Sequence, residues 1–118
     1  GLAMQVKVKA PKEIVLKLLK RSECSVQVAA VLSDARGVYA WGWNHSGDGF
    51  GEHAEAACLK RSNYKRVGKS VMWVAARRRK NWNPVSAKPC AACWPLVRGC
   101  AYVCYRKKDG AWEVLRTT

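Results

Sequence analysis

Two short motifs constrain the fold of this chain most strongly: His-Ala-Glu at residues 53–55 and Pro-Cys-Ala-Ala-Cys at residues 89–93. Catalytic zinc takes three protein ligands and keeps a fourth position open for water. His53, Cys90 and Cys93 supply one imidazole and two thiolates. Two cysteines separated by two residues can reach one metal from the first turn of a helix, where amide N–H groups help to stabilise thiolates. The two motifs therefore predict a Zn2+ site that brings distant stretches of the chain together.

Glu55 lies two residues after His53. Near the start of a helix, this spacing can direct both side chains into one pocket without making Glu55 a ligand. Zinc lowers the pKa of its bound water toward about 7. A carboxylate beside that water is suited to take its proton and deliver it to a substrate. We therefore predict Glu55 as the catalytic residue.

Each motif alone is less specific than the pair. A lone C-x-x-C could be a redox pair or half of a structural zinc site. The competing interpretation is an all-cysteine zinc site made of Cys90, Cys93, Cys100 and Cys104. The second pair in that set has unusual spacing and is predicted to lie in a strand. That alternative would also leave His53 and Glu55 without a role.

The chain has 118 residues, which is enough for one domain with a single core, so we predict one domain over residues 1–118. Residues 1–3 precede Met4 and could be a cloning remnant. No apolar run is long enough to cross a membrane, and no secretory signal is found, so no membrane partner is expected. The four cysteines outside the C-x-x-C lie in apolar contexts and favour a reducing cytoplasm. A toxin domain at the C-terminus of a secreted protein is the alternative location.

The net charge is +14, from 22 Lys and Arg against 8 Asp and Glu. Such an excess favours a polyanionic partner, most simply nucleic acid, over a merely solvated surface. Basic side chains can follow a phosphate backbone, and an aromatic face can stack a base. We predict Trp82 as the stacking residue, with loop packing as the alternative. The predicted nucleic-acid-binding residues, which could equally form a solvated face, are Arg77, Arg78, Arg79 and Lys80.

Hydrophobic periodicity predicts the element order α-β-β-α-β-α-β-β. Pro11 suits the first position of an amphipathic helix over residues 12–21. Turns at residues 33–37 and 108–110 each join two strands into a hairpin. Residues 44–51 form a glycine-rich loop and residues 77–88 a basic loop. Further helices are predicted over 53–64 and 90–97, and strands over 25–32, 38–43, 70–76, 100–105 and 111–116.

This order fits an α/β fold, a three-layer α/β/α sandwich around a five-stranded mixed sheet. Residues 106–110 are too few for a helical crossover between the last two strands. We therefore expect these two strands to form an antiparallel hairpin.

The paired motifs resemble the H-x-E and P-C-x-x-C signature of zinc-dependent nucleobase deaminases. Over nearly its whole length, the chain is similar to the cytidine deaminase-like superfamily. The resemblance implies that His53, Cys90 and Cys93 bind Zn2+ between the N-termini of two helices. It also implies that Glu55 moves protons during hydrolytic deamination of a base.

The segment Trp41-Gly42-Trp43-Asn44 resembles the G-x-N that ends the second strand in tRNA adenosine and deoxycytidylate deaminases. The resemblance implies a substrate contact by Asn44, with turn formation as the alternative. The predicted substrate-binding set comprises Asn44, Trp43, Ala54, Trp82 and Pro89.

The chain combines features of several branches of this superfamily. Free-nucleoside cytidine deaminases generally resemble C-A-E where this chain has His53-Ala54-Glu55. The tRNA adenosine and AID/APOBEC branches insert a helix between the last two core strands. The antiparallel pair expected here resembles instead the nucleoside branch and several bacterial toxin-type deaminases.

The favoured hypothesis is conversion of cytosine to uracil in single-stranded nucleic acid, with DNA favoured, because the reacting base must be out of the stack. The alternative is a salvage enzyme for free cytidine, deoxycytidine or deoxycytidylate, which leaves the +14 charge unexplained. Weaker alternatives are a tRNA adenosine deaminase and a non-catalytic nucleic-acid-binding domain that retains zinc. The presence of Glu55 argues against the last of these. The oligomeric state stays open.

Overall fold

The computed structural model describes residues 2–45 and 53–117, with side chains from residue 10 onward. Most of the predicted glycine-rich loop, residues 46–51, therefore lies outside the described residues. The helices are α1 (Leu2–Leu18), α2 (Ala54–Lys60), α3 (Tyr64–Val67) and α4 (Trp94–Val97). The strands are β1 (Val26–Asp34), β2 (Gly37–Trp43), β3 (Val71–Arg78), β4 (Pro84–Val85), β5 (Tyr102–Arg106) and β6 (Trp112–Arg116).

The strands form one mixed sheet in the order β2-β1-β3-β5-β6, and β4 pairs with the end of β3. β1 runs antiparallel to both β2 and β3, whereas β3 and β5 are parallel. β5 and β6 are antiparallel, as their short connection requires. The predicted mixed sheet and its final antiparallel hairpin are confirmed. β4 is an additional strand in a segment that was predicted to be loop.

Each face of the sheet packs against helices, because successive side chains on a strand point to opposite faces. On β3, Met72 and Val74 join a core with α2 and α4. Trp73 and Ala75 join a second core with α1, through its buried Val15. These two cores confirm the three-layer arrangement. In the described part of the chain, no helix is both long and apolar enough to span a bilayer.

Three local predictions are wrong. α1 begins well before Pro11, which lies inside the helix and is fully buried. A proline in a helix interior removes one hydrogen bond, and burial of the ring offsets that cost. The predicted helix over residues 53–64 ends at Lys60, and Asn63 then caps α3 by accepting a hydrogen bond from the Lys65 amide. The helix predicted over residues 90–97 is α4, which starts at Trp94 rather than at Cys90.

The predicted basic loop over residues 77–88 is also partly wrong, because β3 continues through Arg78. The last two residues of β3 pair with the start of β1, Arg77 with Gln27 and Arg78 with Val26. Partner strands satisfy the backbone there, so the charged side chains do not end the strand.

Gly42 sets how closely β2 approaches α2. A Cβ atom at this position would lie 2.4 Å from the amide nitrogen of Cys58 and 2.9 Å from the carbonyl oxygen of Ala54. Only glycine leaves room for this contact between a strand and a helix backbone. Since α2 begins beside His53 and contains Glu55, this contact also positions the predicted site.

Candidate active site

The start of α2 and the turn before α4 bring the two sequence motifs together. His53 is the N-cap residue of α2. Cys90 and Cys93 bracket a turn in which the Cys90 carbonyl accepts hydrogen bonds from the amides of Cys93 and Trp94, at 3.0 and 2.9 Å. Potential ligand atoms of His53, Cys90 and Cys93 all lie within 4.8 Å of one another. These three residues could therefore hold one metal ion.

The donor set suits zinc, which prefers nitrogen and sulfur ligands in a tetrahedral arrangement. The His53 Nδ1 and Cys93 Sγ atoms are 2.9 Å apart, a hydrogen-bonding separation. Nitrogen and sulfur ligands of one tetrahedral zinc are about 3.5 Å apart, so small movements suffice for coordination. His53 and Cys90 are exposed while Cys93 is buried, so the cluster is accessible from one side. Three ligands leave the fourth position that catalysis requires.

The two thiols lie in different electrostatic environments. A hydrogen bond from the Cys93 amide lowers the pKa of Cys90. Burial, and then the neighbouring carboxylate of Glu55, raise the pKa of Cys93 to about 12. A metal deprotonates a coordinating thiol outright, so we expect metal binding to release a proton from Cys93.

Glu55 lies in the first turn of α2 and is only 5% exposed. Burial raises the pKa of its carboxyl group, and the nearby His53 partly counters this effect. A carboxyl group with a raised pKa is better matched to proton transfer near neutral pH. Glu55 lines a cavity of about 130 Å³ together with Val28, Asn44, His53 and Ala54. The predicted acid–base group thus lies beside the predicted metal ligands.

Asn44 lines the same cavity, but its carboxamide is largely engaged within the protein. The side-chain oxygen accepts hydrogen bonds from the Val28 amide at 2.9 Å and from the Ser22 hydroxyl at 2.6 Å. The side-chain nitrogen donates to the Val26 carbonyl at 2.9 Å. The Asn44 carboxamide therefore continues the hydrogen bonding between β1 and β2 beyond the end of β2. A substrate contact by Asn44 stays a prediction, and one side-chain N–H remains for it.

The other predicted substrate contacts near the motifs lie in different environments. Ala54 is fully buried in the cavity wall, and Pro89 is half-buried next to Cys90. Trp43 packs in the core on the α1 side of the sheet, away from the α2 side. The guanidinium groups of Arg21 and Arg61 lie 5.7 and 5.2 Å from its ring centre. The structure does not bring Trp43 into the cavity.

The predicted stacking residue lies at the tip of the β3–β4 hairpin, where Trp82 is 67% exposed. Its φ angle of 63° is unusual for a bulky residue and persists only where the surroundings hold it. The Trp82 amide donates to the Arg78 carbonyl at 2.8 Å, and the Arg77 guanidinium lies 4.4 Å from the ring centre. The exposed indole is therefore held in a defined position.

The rest of the basic cluster surrounds that tip. Arg78, Arg79 and Lys80 are exposed, and Arg79 also donates a hydrogen bond to the Glu23 carbonyl at 3.2 Å. Arg78 pairs with Val26, two residues from the cavity-lining Val28. From strand geometry, the Cα atoms of Arg78 and Val28 are about 8 Å apart. The β3 end of this hairpin, at Arg78, thus lies near the cavity, whereas the Arg77 side chain lies on the opposite, α1 side of the sheet.

Two residues of the site region were missed in the sequence. Ser22 is buried and fixes Asn44, while Val28 forms part of the cavity wall. Ser22 follows a basic stretch and has the composition of an ordinary turn. Val28 lies within an apolar strand like any core residue. Both roles depend on tertiary contacts with Asn44 and α2 and carry no local sequence signal.

No protein-family model matches the sequence, and a comparison with curated proteins finds no match. Solved structures do match. Cytidine deaminase from Burkholderia pseudomallei aligns over 92% of this chain and 91% of its own, with 19% identity and a TM-score of 0.69. Cytidine deaminase from Mycobacterium leprae aligns over 95% and 94%, with 16% identity and a TM-score of 0.62. The dCMP deaminase of cyanophage S-TIM5 aligns over 90% and 86%, with 21% identity and a TM-score of 0.61. The chain therefore has the cytidine deaminase fold.

Proposed function

We propose that this protein is a zinc-dependent hydrolytic deaminase that converts cytosine to uracil, with single-stranded nucleic acid, DNA favoured, as its substrate. The observation that carries the chemistry is the position of Glu55, buried in a cavity wall beside three residues that could hold one metal ion. Cytosine is the base common to the cytidine and dCMP deaminases that share the fold.

In this proposal, the chain's own residues divide the work of binding and proton transfer. His53, Cys90 and Cys93 would hold Zn2+, which when bound lowers the pKa of a coordinated water toward about 7. Glu55 takes one proton from the attacking water and gives it to the ring nitrogen, which keeps it. It then takes the second proton of the added water and gives it to the amino group, which leaves as ammonia. The net reaction is cytosine plus water giving uracil plus ammonia. Val28 and Ala54 form the cavity wall against the ring and exclude bulk water.

A polynucleotide substrate is supported by what lies next to the cavity. At about 130 Å³, the part lined by described residues suits a single base. The hairpin that carries Trp82 and the cluster Arg77–Lys80 begins near this cavity, at Arg78, and the net charge is +14. Cations interleaved with an exposed aromatic residue are typical of surfaces that bind single strands. A free nucleoside in the cavity would leave this surface unused.

The second candidate function is deamination of free cytidine, deoxycytidine or deoxycytidylate. The specific support is that matching structures are cytidine and dCMP deaminases aligned over most of both chains. The antiparallel β5–β6 pair also agrees with the predicted likeness to the nucleoside branch. For a monophosphate, one or two basic residues would suffice, and the other basic residues of the tip would have no role in the reaction.

The deciding experiment measures uracil by mass spectrometry from one set of substrates treated side by side. The set contains single-stranded DNA with one cytosine, the matching RNA and duplex, free deoxycytidine and its monophosphate. We expect conversion of the single strand and little conversion of monomers. Conversion of monomers alone would replace the proposal with the salvage function.

The catalytic assignment is tested in the same assay with Glu55→Ala. Loss of general acid–base catalysis typically costs about 10²–10⁴-fold in rate, and the variant should retain its metal because Glu55 is not a ligand. Glu23→Ala is the matched control, because it removes an exposed carboxylate and should leave turnover unchanged. Retained turnover in Glu55→Ala would remove this residue from the mechanism.

A further inference from the structure

Arg106, at the end of β5, has a side chain whose hydrogen-bonding capacity is not met. Its Nε atom is buried and has no hydrogen-bond partner within the described part of the chain. Its Nη2 atom makes a long hydrogen bond of 3.4 Å to the Ala76 carbonyl. A buried N–H group without an acceptor is costly, which makes each such group in a folded protein a candidate contact for something else.

A second guanidinium lies beside it. Alternation along β3 and β5 places Arg77 and Arg106 on the α1 side of the sheet, in line with Ala75 and Cys104. Burial, and then the charge of Arg77, lower the pKa of Arg106. Neither group forms an ion pair with a described carboxylate. Two positive charges and one unmet N–H group on this face therefore have no anionic partner among the described residues.

The exposed Trp82 ring packs against Arg77, one member of this pair. Arg77 covers one face of the ring at 4.4 Å and also donates a hydrogen bond to Gln27 Oε1 at 2.7 Å. Gln27 is itself buried and donates to the Ser22 carbonyl at 2.8 Å. The hydrogen bond to Gln27 thus holds the Arg77 guanidinium in place. Arg77 in turn holds the Trp82 ring, which is 67% exposed.

We propose that Arg77 and Arg106 together bind one phosphate of a single-stranded nucleic acid, and that Trp82 stacks a base adjacent to that phosphate. Guanidinium groups match phosphate oxygens in charge and in the geometry of paired N–H donors. An adjacent aromatic ring can stack the base of a nucleotide, whereas an inorganic anion gains nothing from it. Arg106 thereby becomes a substrate-binding residue that the basic run at 77–80 did not include. That the bound strand is also a substrate rests on the proposed function, whereas the binding itself does not.

The test is equilibrium binding of a fluorescently labelled single strand made only of thymidine nucleotides, measured at several salt concentrations. Such a strand contains no cytosine, so binding is measured whether or not the protein deaminates. Each phosphate contact contributes about −0.7 to the slope of log affinity against log salt for single strands. Arg106→Gln should make the slope shallower by about 0.7 and weaken binding about fourfold at 0.15 M salt from counterion release alone.

Three further variants separate a phosphate contact from a structural role. Arg106→Lys keeps the charge and should retain most of the slope. Trp82→Leu should weaken binding by about 5- to 150-fold while leaving the slope unchanged, because stacking involves no counterion release. Arg116→Gln, which removes an exposed arginine from β6 at the opposite end of the sheet, is the matched control. An unchanged slope in Arg106→Gln, or an equal change in Arg116→Gln, would overturn the proposal.

A site for free phosphate is distinguished by a parallel titration with inorganic phosphate. Thermal stabilisation of the wild-type protein by phosphate, lost in Arg106→Gln together with strand affinity, supports the polynucleotide site. Stabilisation by phosphate without any effect of Arg106→Gln on strand binding would mean that the pair holds a free anion, which contradicts the proposal. Deamination plays no part in either measurement, so failure of the proposed activity would be seen separately.

Discussion

The contact between Gly42 and α2 gives a demanding test of how the fold positions the active site. Replacing Gly42 by alanine places a Cβ atom 2.4 Å from the Cys58 amide nitrogen, and relief to 3.4 Å requires movement of about 1 Å. The obstructing atoms belong to the helix backbone, so no side chain can rotate away. Overpacking typically costs about 1–3 kcal/mol, and we expect Gly42→Ala to lie at or above the upper end of that range.

The displaced element is the one that carries Glu55, so catalysis should suffer beyond the loss of stability. A shift of about 1 Å in a catalytic group can cost about 10²-fold in rate. The assay combines urea unfolding with turnover of a cytosine-containing strand, measured below the temperature at which the variant unfolds. We expect a lower free energy of unfolding and a lower turnover per folded molecule.

Gly68→Ala is the matched control for this prediction. Gly68 has a helical φ of −62°, and a Cβ atom there would meet no heavy atom within 4 Å among the described residues other than its chain neighbours. The alanine should be neutral or stabilise by about 0.4–1 kcal/mol, by restricting the unfolded chain. If Gly42→Ala matched Gly68→Ala in stability and activity, the close β2–α2 contact would not position the site and the reasoning would be refuted.

Three other predictions follow from features of the site and its surroundings. Cys90→Ala should lose zinc, since two protein ligands remain, and full metal content by elemental analysis would contradict the ligand assignment. The pKa of Asp34 is lowered to about 2, chiefly by its hydrogen bonds from Arg66. The ionised Asp34 should therefore contribute fully to the free energy of unfolding above the pKa of about 4 that it has in the unfolded chain, and this contribution should vanish as the pH falls through about 2. Asp34→Asn should therefore cost about 1.5–3 kcal/mol at pH 7 and little at pH 2 by urea unfolding, whereas Asp109→Asn, at an exposed ion pair, should cost under about 1 kcal/mol. If Arg77, Arg78, Arg79 and Lys80 each meet a phosphate, affinity for a single strand should fall about 50-fold between 50 and 200 mM salt, and a salt-independent affinity would count against a polynucleotide substrate.

The sequence predicted the parts of the site that need particular residue types. Zinc chemistry restricts ligands to a few side chains, so His53, Cys90 and Cys93 could be predicted as ligands, and the structure brings these three residues together. The hairpins were also predictable, because the turn segments and the alternation of the strands are local signals. The final antiparallel pair followed from the shortness of its connection alone.

The errors arose where distant contacts overrode local signals. Arg77 and Arg78 have the composition of a loop, yet β1 pairs with their backbone and makes them strand. Pro11 has the signal of a helix start, yet the helix runs through it. The hydrogen bonds that join the Asn44 carboxamide to Ser22, Val26 and Val28 were also not predictable, and its substrate contact stays a prediction. Periodicity and motif spacing contain no information about such partners.

The cations that lie over aromatic rings change how the protein's charge should be counted. Aromatic rings are covered in this way by the five basic residues Lys12, Arg21, Arg61, Arg66 and Arg77. Such contacts occur about once per 70–80 residues in ordinary proteins, so they are concentrated here. Arg61 reaches both Trp41 and Trp43 on β2, which is an edge strand of the sheet. An exposed aromatic edge invites self-association, and a guanidinium over it keeps it hydrated. We therefore expect part of the +14 charge to serve colloidal stability, so that neutralising Arg61 promotes aggregation without changing the rate of deamination.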